Sequence, residues 1–356
     1  MSDSDAISQK LDEILTAAAE NDSSDVYLRE GEVPRLKVNG QIWTAGEAPL
    51  SHEDMATFWN SLKADPAEDM DVDVGFQAEN GDRYRINLHR ERDRLGAVMR
   101  RIKADIPHLE TLGAPTNILT DWFSRPSGII LVAGPTGSGK STTLAASLDW
   151  VNRHYAKHIV TIEDPIEYLF KNEMAYFTQR AVGLDTGGFT HGLRSALRQA
   201  PDIIFVGEIR DPETAATALQ AAETGHIVVS TVHSSTVPET IERLTNLLPG
   251  EGREGALQLL AKQLIGVLCQ RLLPCAEGGR TLVVEHLQNE GVTREWIEKT
   301  ELTQIGEFLN DHDNPANKGF LASIIEACET GKISTTVAEG ASANPTEFRR
   351  AFRGVS

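Results

Sequence analysis

Residues 134–141 read GPTGSGKS: Gly134, Pro135, Thr136, Gly137, Ser138, Gly139, Lys140 and Ser141, with Thr142 next. The spacing G-x-x-x-x-G-K-[ST] lets glycine backbone N–H groups close around phosphates, and a following helix N-terminus adds positive dipole character. Lys140 is placed to reach the β- and γ-phosphates, and the Ser141 hydroxyl to ligate Mg²⁺. The motif needs a strand before it and a helix after it. GIILVAG is a continuous apolar run and STTLAASLDWVNRHY has helical spacing, so both conditions are met. The chemistry implied is binding of a nucleoside triphosphate with Mg²⁺.

Hydrolysis would need a carboxylate beside the phosphates. Asp202-Ile-Ile-Phe-Val-Gly-Glu208 is a second apolar strand ending in one, and Glu208 is the candidate base for water. Asp202, at the start of that strand, is too far along an extended chain to act with it. HIVTIEDP ends in Glu163-Asp164, which could supply a second acidic group or form a solvated turn before Pro165. His226 opens HIVVSTVH and His233 closes it, which sets them roughly 20 Å apart on a straight strand and excludes a shared metal ion. His233 falls at the carboxyl end, where open α/β sheets bind ligands. There it could sense the γ-phosphate or position Glu208; both histidines also read as satisfied loop residues.

The elements that must hold these groups fall into two textures. Up to about residue 104, strands and helices alternate in a small α+β pattern. A helix is expected over 5–20, then strands in SDVYLREGEVPRLKVNGQIW with a tight turn at Asn39-Gly40. A helix in SHEDMATFWNSLK follows, with Ser51 as its cap. Over 74–103 strand alternation returns, with Tyr84, Ile86 and Leu88 on one face. IPHLETLGAP, within 105–115, reads as a linker. Buried-strand runs then alternate with helices, the pattern of a doubly wound α/β domain over 116–275. After Pro249-Gly250 the expectation is mostly helix, through ALQLLAKQLIGVLCQRLLP and on over 276–356, with one last short helix in the tail.

Composition narrows the function classes. Across 356 residues the formal net charge is −18, which argues against a general nucleic-acid binder. Cys269, Cys275 and Cys328 match neither a CxxC pair nor a disulfide framework. No apolar run reaches the ~18 residues of a membrane span, and the polar, acidic N-terminus lacks signal-peptide order. The chain is expected in the cytoplasm, at a membrane only through a partner.

The motifs in series resemble the ATPases of the type II and type IV secretion superfamily. TIEDPIEYLF is similar to its aspartate box. GLRSALRQAPDIIFVGEIRDPETAATALQAAETGHIVVSTVHSS is similar to its Walker B and histidine boxes run together. QRAVGLDTGGF, AAETGH and GKISTTVAEGASANPTEFRRAFRG resemble the PilT-like pilus retraction ATPases within it. The resemblance implies a RecA-like P-loop NTPase domain, a smaller N-terminal PAS-like domain and a helical C-terminal region. It also implies a homohexameric ring that hydrolyses ATP and docks on an inner-membrane platform protein. By position, Glu208 would be the general base and Glu163 would help at Mg²⁺ and water. His233, with His226, would couple nucleotide state to conformation.

Two features bear on the subfamily. Extension and type II secretion ATPases usually carry paired CxxC elements, which this chain lacks. The AIRNLIRE-like segment associated with retraction is not found either; REWIEKTELTQIGEFLNDHD stands in that region. A PilU-like accessory motor and a secretion or conjugation ATPase therefore stay open beside retraction.

The stretch RYRINLHRERDRLGAVMRR gathers seven arginines in nineteen residues. It resembles the family form RxRxN…GAVxR, whose arginines lie at bound nucleotide. That makes Arg83, Arg85 and Arg100 candidates for neutralising γ-phosphoryl charge. Arg90, Arg92 and Arg94 alternate with Glu91 and Asp93 and read as a solvated hairpin tip; Arg101 stays unassigned. A nucleic-acid translocase using this stretch as a grip is the rival, and the acidic balance weighs against it.

Overall fold

The computed structural model of the chain describes residues 3–38, 40–78, 82–102, 105–248, 252–310 and 316–353. Asn39, Pro249 and Gly250, expected as turns, lie outside the described residues. The chain divides into two compact units: 1–105, with 165–169 and 183–185 grouped to it, and the remainder from 106 to 356.

The first unit runs α1 (Asp3–Glu20), β1 (Asp25–Arg29), β2 (Arg35–Val38), β3 (Gln41–Thr44), α2 (His52–Ser61), β4 (Asp71–Gln77), β5 (Arg83–Glu91) and β6 (Arg94–Ile102). Its six strands order as β3-β2-β1-β6-β5-β4, every pairing antiparallel. Tyr84, Ile86 and Leu88 point into the core beside Trp59 and Met99, as their alternation requires. Ser51 caps α2 in a reciprocal box with Asp54, an arrangement worth ~1 kcal/mol. Between β5 and β6 only Arg92 and Asp93 remain, with φ of 51° and 61°. Positive φ at both central residues is the geometry that matches strand twist in a two-residue hairpin. The RERDR centre is thus a tight turn.

The second unit opens with a 3₁₀ turn (Leu109–Thr111) and α3 (Thr116–Ser124). Leu109 is buried in its core, so residues 106–115 pack with the α/β unit rather than forming a free linker. Then follow β7 (Gly128–Ala133), α4 (Lys140–His154), β8 (His158–Glu163), β9 (Tyr176–Ala181), α5 (Phe189–Ala196), β10 (Ile203–Glu208), α6 (Pro212–Glu223), β11 (Ile227–Val232), α7 (Val237–Asn246) and α8 (Arg253–Gln263). The unit ends with β12 (Leu264–Pro274), β13 (Arg280–Gln288), α9 (Val292–Glu298), α10 (Leu302–Leu309), α11 (Phe320–Glu329), α12 (Thr335–Ala341) and α13 (Pro345–Phe352). Seven strands order as β13-β12-β7-β11-β10-β8-β9; all pairings are parallel except β12 with β13.

One expectation needs correction. LIGVLCQRLLP is strand β12, not a continuation of helix, and β13 carries the sheet into the region read as mostly helical. An unbroken apolar run fits a buried helix and a doubly covered strand equally, and here pairing on both sides with β7 and β13 decides it. The one short helix expected in the tail EGASANPTEFRRAFRGVS is α13, and α12 begins ahead of that stretch.

Candidate nucleotide site

The phosphate loop links β7, whose six residues are all buried, to the first turn of α4. Gly137 and Gly139 adopt φ of 78° and 88°, a left-handed backbone that costs glycine little. Gly134 is required for space as well: a Cβ there would stand 2.5 Å from both the Gln270 carbonyl oxygen and Ser138 Oγ. Pro135 and Thr136 complete the bend, and Lys140, Ser141 and Thr142 begin the helix. Lys140 is 8% exposed and donates to the carbonyls of Gly134 (2.8 Å) and Pro135 (3.0 Å), so its ammonium lies inside the loop. Ser138 Oγ is buried, with no hydrogen-bond partner among the described residues. A cradle closed to a Cβ, an inward ammonium and an orphaned hydroxyl suit a ligand rich in acceptor oxygens.

Beside the loop, the carboxyl edge of the sheet runs β7, β11, β10, β8, and each strand ends in a candidate group. His233 follows β11, Glu208 closes β10 and Glu163 closes β8. Glu163 is 7% exposed; Thr161 Oγ1 donates to its Oε1 at 2.6 Å and Gln179 Nε2 at 3.4 Å. It is a held carboxylate and not a solvated turn. Register slips between Val206 and Glu208 against β11, and Thr231 Oγ1 donates to the Gly207 carbonyl at 2.6 Å. Such irregularities re-aim a strand's last side chain.

Glu208 is 6% exposed and faces three cationic or titratable groups. Arg210 Nε donates to its Oε2 at 2.6 Å, His233 Nε2 stands 3.6 Å from Oε2, and Arg243 Nη2 stands 3.7 Å from Oε1. Burial and then the Lys140 ammonium push the His233 imidazole below its ordinary range. Glu208 pulls it up, against Arg243 and Arg210. His233 is therefore neutral near pH 7 and can both donate and accept a hydrogen bond.

Among the described residues no group of three or more His, Cys, Asp or Glu could hold a metal ion. Mg²⁺ fits such a site when it arrives with phosphate oxygens and keeps waters, needing only Ser141 and one nearby carboxylate.

The comparisons with known proteins follow the same lines. The model of the family "Type II/IV secretion system protein" matches residues 95–315. The chain belongs to that family. Pseudomonas aeruginosa PilT, a type IV pilus retraction ATPase, is 37% identical over 82% of this chain and 86% of its own length. The type IV pilus ATPase PilU of the same organism is 32% identical over 91% of this chain and 86% of its own. The crystal structure of the pilus retraction motor PilT with bound ADP superposes with a TM-score of 0.87 at 36% identity. It covers 96% of this chain and 99% of that one. The architecture is the α/β secretion-ATPase fold, with an N-terminal domain and a helical C-terminal region.

In this secretion-family chain the structure gathers the phosphate loop, Glu163, Glu208 and His233 on one sheet edge. His226 is not brought there. It precedes β11 at the opposite edge, with Nδ1 2.9 Å from the Ala221 carbonyl and 3.2 Å from Thr224 Oγ1. Asp202 shares that far edge, paired with Lys157 at 3.1 Å. Arg83, Arg85 and Arg100 lie on β5 and β6 of the first unit; Arg85 pairs with Asp73 (3.2 Å) and Arg100 with buried Asp25 (2.9 Å). Arg101 pairs with Asp82 and Asp22. Sequence reasoning missed Arg210, Arg243 and Gln270. Arg210, two residues from Glu208, was open to detection by proximity. A lone glutamine inside an apolar run was the signal for Gln270.

Proposed function

We propose that the chain is an ATP hydrolase that drives type IV pilus retraction, working as a homohexamer at the cytoplasmic face of a membrane against a platform protein. The observation that carries the reading is the joint one: a phosphate loop with inward Lys140 beside buried Glu208 and Glu163, in a chain similar over most of its length to PilT. Lys140 would bind the β- and γ-phosphates and Ser141 the Mg²⁺ that neutralises them. Glu208 would take the proton of the attacking water, with Glu163 orienting water at the metal. His233, neutral and between Lys140 and Glu208 in the electrostatics, would report phosphate occupancy to the β11–α7 loop. Arg83, Arg85 and Arg100 are proposed to add positive charge at the γ-phosphate.

A second reading, an accessory motor like PilU, is favoured by the 91% coverage of that match. Two measurements test the proposal. Purified Glu208→Gln should bind ATP with unchanged affinity and lose at least ~100-fold in turnover; near-normal turnover removes Glu208 as base. Deleting the gene should leave cells with excess pili; absent pili would point to extension, and unchanged pili with weaker force to an accessory motor.

A further inference from the structure

Glu208 needs more than its position at the end of β10 to act on water. A carboxylate on a short stem can rotate, and misplacing a reacting group by about 1 Å can cost ~100-fold in rate. The structure supplies two restraints from outside the strand. Arg210 Nε is hydrogen-bonded to Oε2 at 2.6 Å, while Oε1 takes no hydrogen bond among the described residues. Arg243, on α7, reaches the same carboxylate at 3.7 Å from Oε1 and donates through Nη1 to the His233 carbonyl at 3.1 Å.

From this geometry we infer that Arg210 and Arg243 are positioning residues for hydrolysis: Arg210 clamps Oε2 so that Oε1 is the oxygen that receives the water proton, and Arg243 ties Glu208 to the His233 backbone. The inference rests on the reading of Glu208 as the base. In the step itself, water's O–H bond breaks and its proton passes to Oε1. The water oxygen bonds the γ-phosphorus as the β–γ bridging bond breaks, and ADP leaves with the electron pair.

An arginine suits the Oε2 contact because its planar fork holds orientation as well as charge. The Arg210 side chain is 61% exposed and Arg243 43%, so neither is a core support whose removal unfolds the domain. Arg243 does something Arg210 does not. By gripping both the carboxylate and the backbone after β11, it makes a shift of His233 felt at Glu208.

The test is steady-state kinetics on the full-length protein for wild type, Glu208→Gln, Arg210→Ala, Arg210→Lys, Arg243→Ala and the double variant Arg210→Ala/Glu208→Gln. Arg210→Ala is expected to lower kcat roughly 10- to 100-fold, less than loss of the base itself, with KM for ATP within about twofold. Arg210→Lys should recover part of that loss, and Arg243→Ala should fall between the two. In the double variant, the residual rate should match Glu208→Gln alone, because a clamp has nothing to place once the base is gone. If wild type turns over, Glu208→Gln does not, and Arg210→Ala keeps a normal kcat, the clamp is overturned while the base assignment stands. A kcat loss in Arg210→Ala that adds fully to that of Glu208→Gln also overturns it. If wild type itself does not hydrolyse ATP, the functional reading fails first.

Discussion

Gln270 Nε2 donates to Thr143 Oγ1 at 2.7 Å, joining the middle of β12 to the first turn of α4. Both side chains are essentially out of water, at 0% and 2% exposure. The same residue's carbonyl oxygen backs the phosphate loop at Gly134. One residue thus braces the loop from behind with its backbone and the start of the helix with its side chain.

Gln270→Leu removes the side-chain brace and leaves Thr143 Oγ1 to its helix alone. A broken buried hydrogen bond costs about 1–3 kcal/mol. The expected outcome is an unfolding free energy lower by that amount in urea titration, with ATP binding weakened several-fold because α4 no longer meets the loop at a fixed angle. Titration with a fluorescent nucleotide and equilibrium unfolding separate the two effects. Unchanged affinity with reduced stability would confine Gln270 to the core.

The loop glycines should differ in their tolerance of a methyl group. Gly134→Ala sets a Cβ 2.5 Å from a backbone oxygen at φ 149°, so the strand must move. Gly137→Ala, at φ 78° with nothing within 4 Å, meets only backbone strain of about 1 kcal/mol. Nucleotide binding should vanish in the first and weaken modestly in the second. Equal losses in both would mean that space behind Gly134 is not what the loop needs.

These contacts mark where the sequence was readable. Glycine spacing, a strand before and a helix after announced the phosphate loop. Period-two burial at Tyr84, Ile86 and Leu88 announced β5. Glu163 was ambiguous because one of its hydrogen-bond donors, Gln179, arrives on β9 sixteen residues later, on a strand that pairs parallel to β8. Arg243 was invisible for a similar reason: it meets Glu208 only after β11 and α7 fold back. Strand β12 was misread because LIGVLCQRLLP carries no period, and only its partners β7 and β13 distinguish it from helix. Local pattern specifies what a segment can bury. Which polar groups meet is a property of sheet order.

His286 predicts a pH dependence of stability. It sits on β13 at 3% exposure, and neither ring nitrogen has a hydrogen-bond partner among the described residues. Burial first, and then the Lys318 ammonium, push its imidazole from 6.5 down to about 4. The unfolded chain therefore takes the proton before the folded one. The stability tied to the neutral ring is present above pH 6.5 and is lost as pH falls towards about 4. A shift of that size corresponds to about 3 kcal/mol across the whole window. Neighbouring Glu285 moves in the opposite sense: burial raises its carboxyl, so its contribution is largest below its ordinary 4.5 and is lost as pH rises. Comparing wild type with His286→Leu cancels the glutamate. Between pH 7.5 and 5, wild type should lose about 2 kcal/mol more than the variant in urea unfolding. At pH 7.5 the variant should be as stable or more so, because the imidazole's unmet hydrogen bonds are gone. Parallel pH slopes would show that the ring is solvated or already protonated in the folded chain.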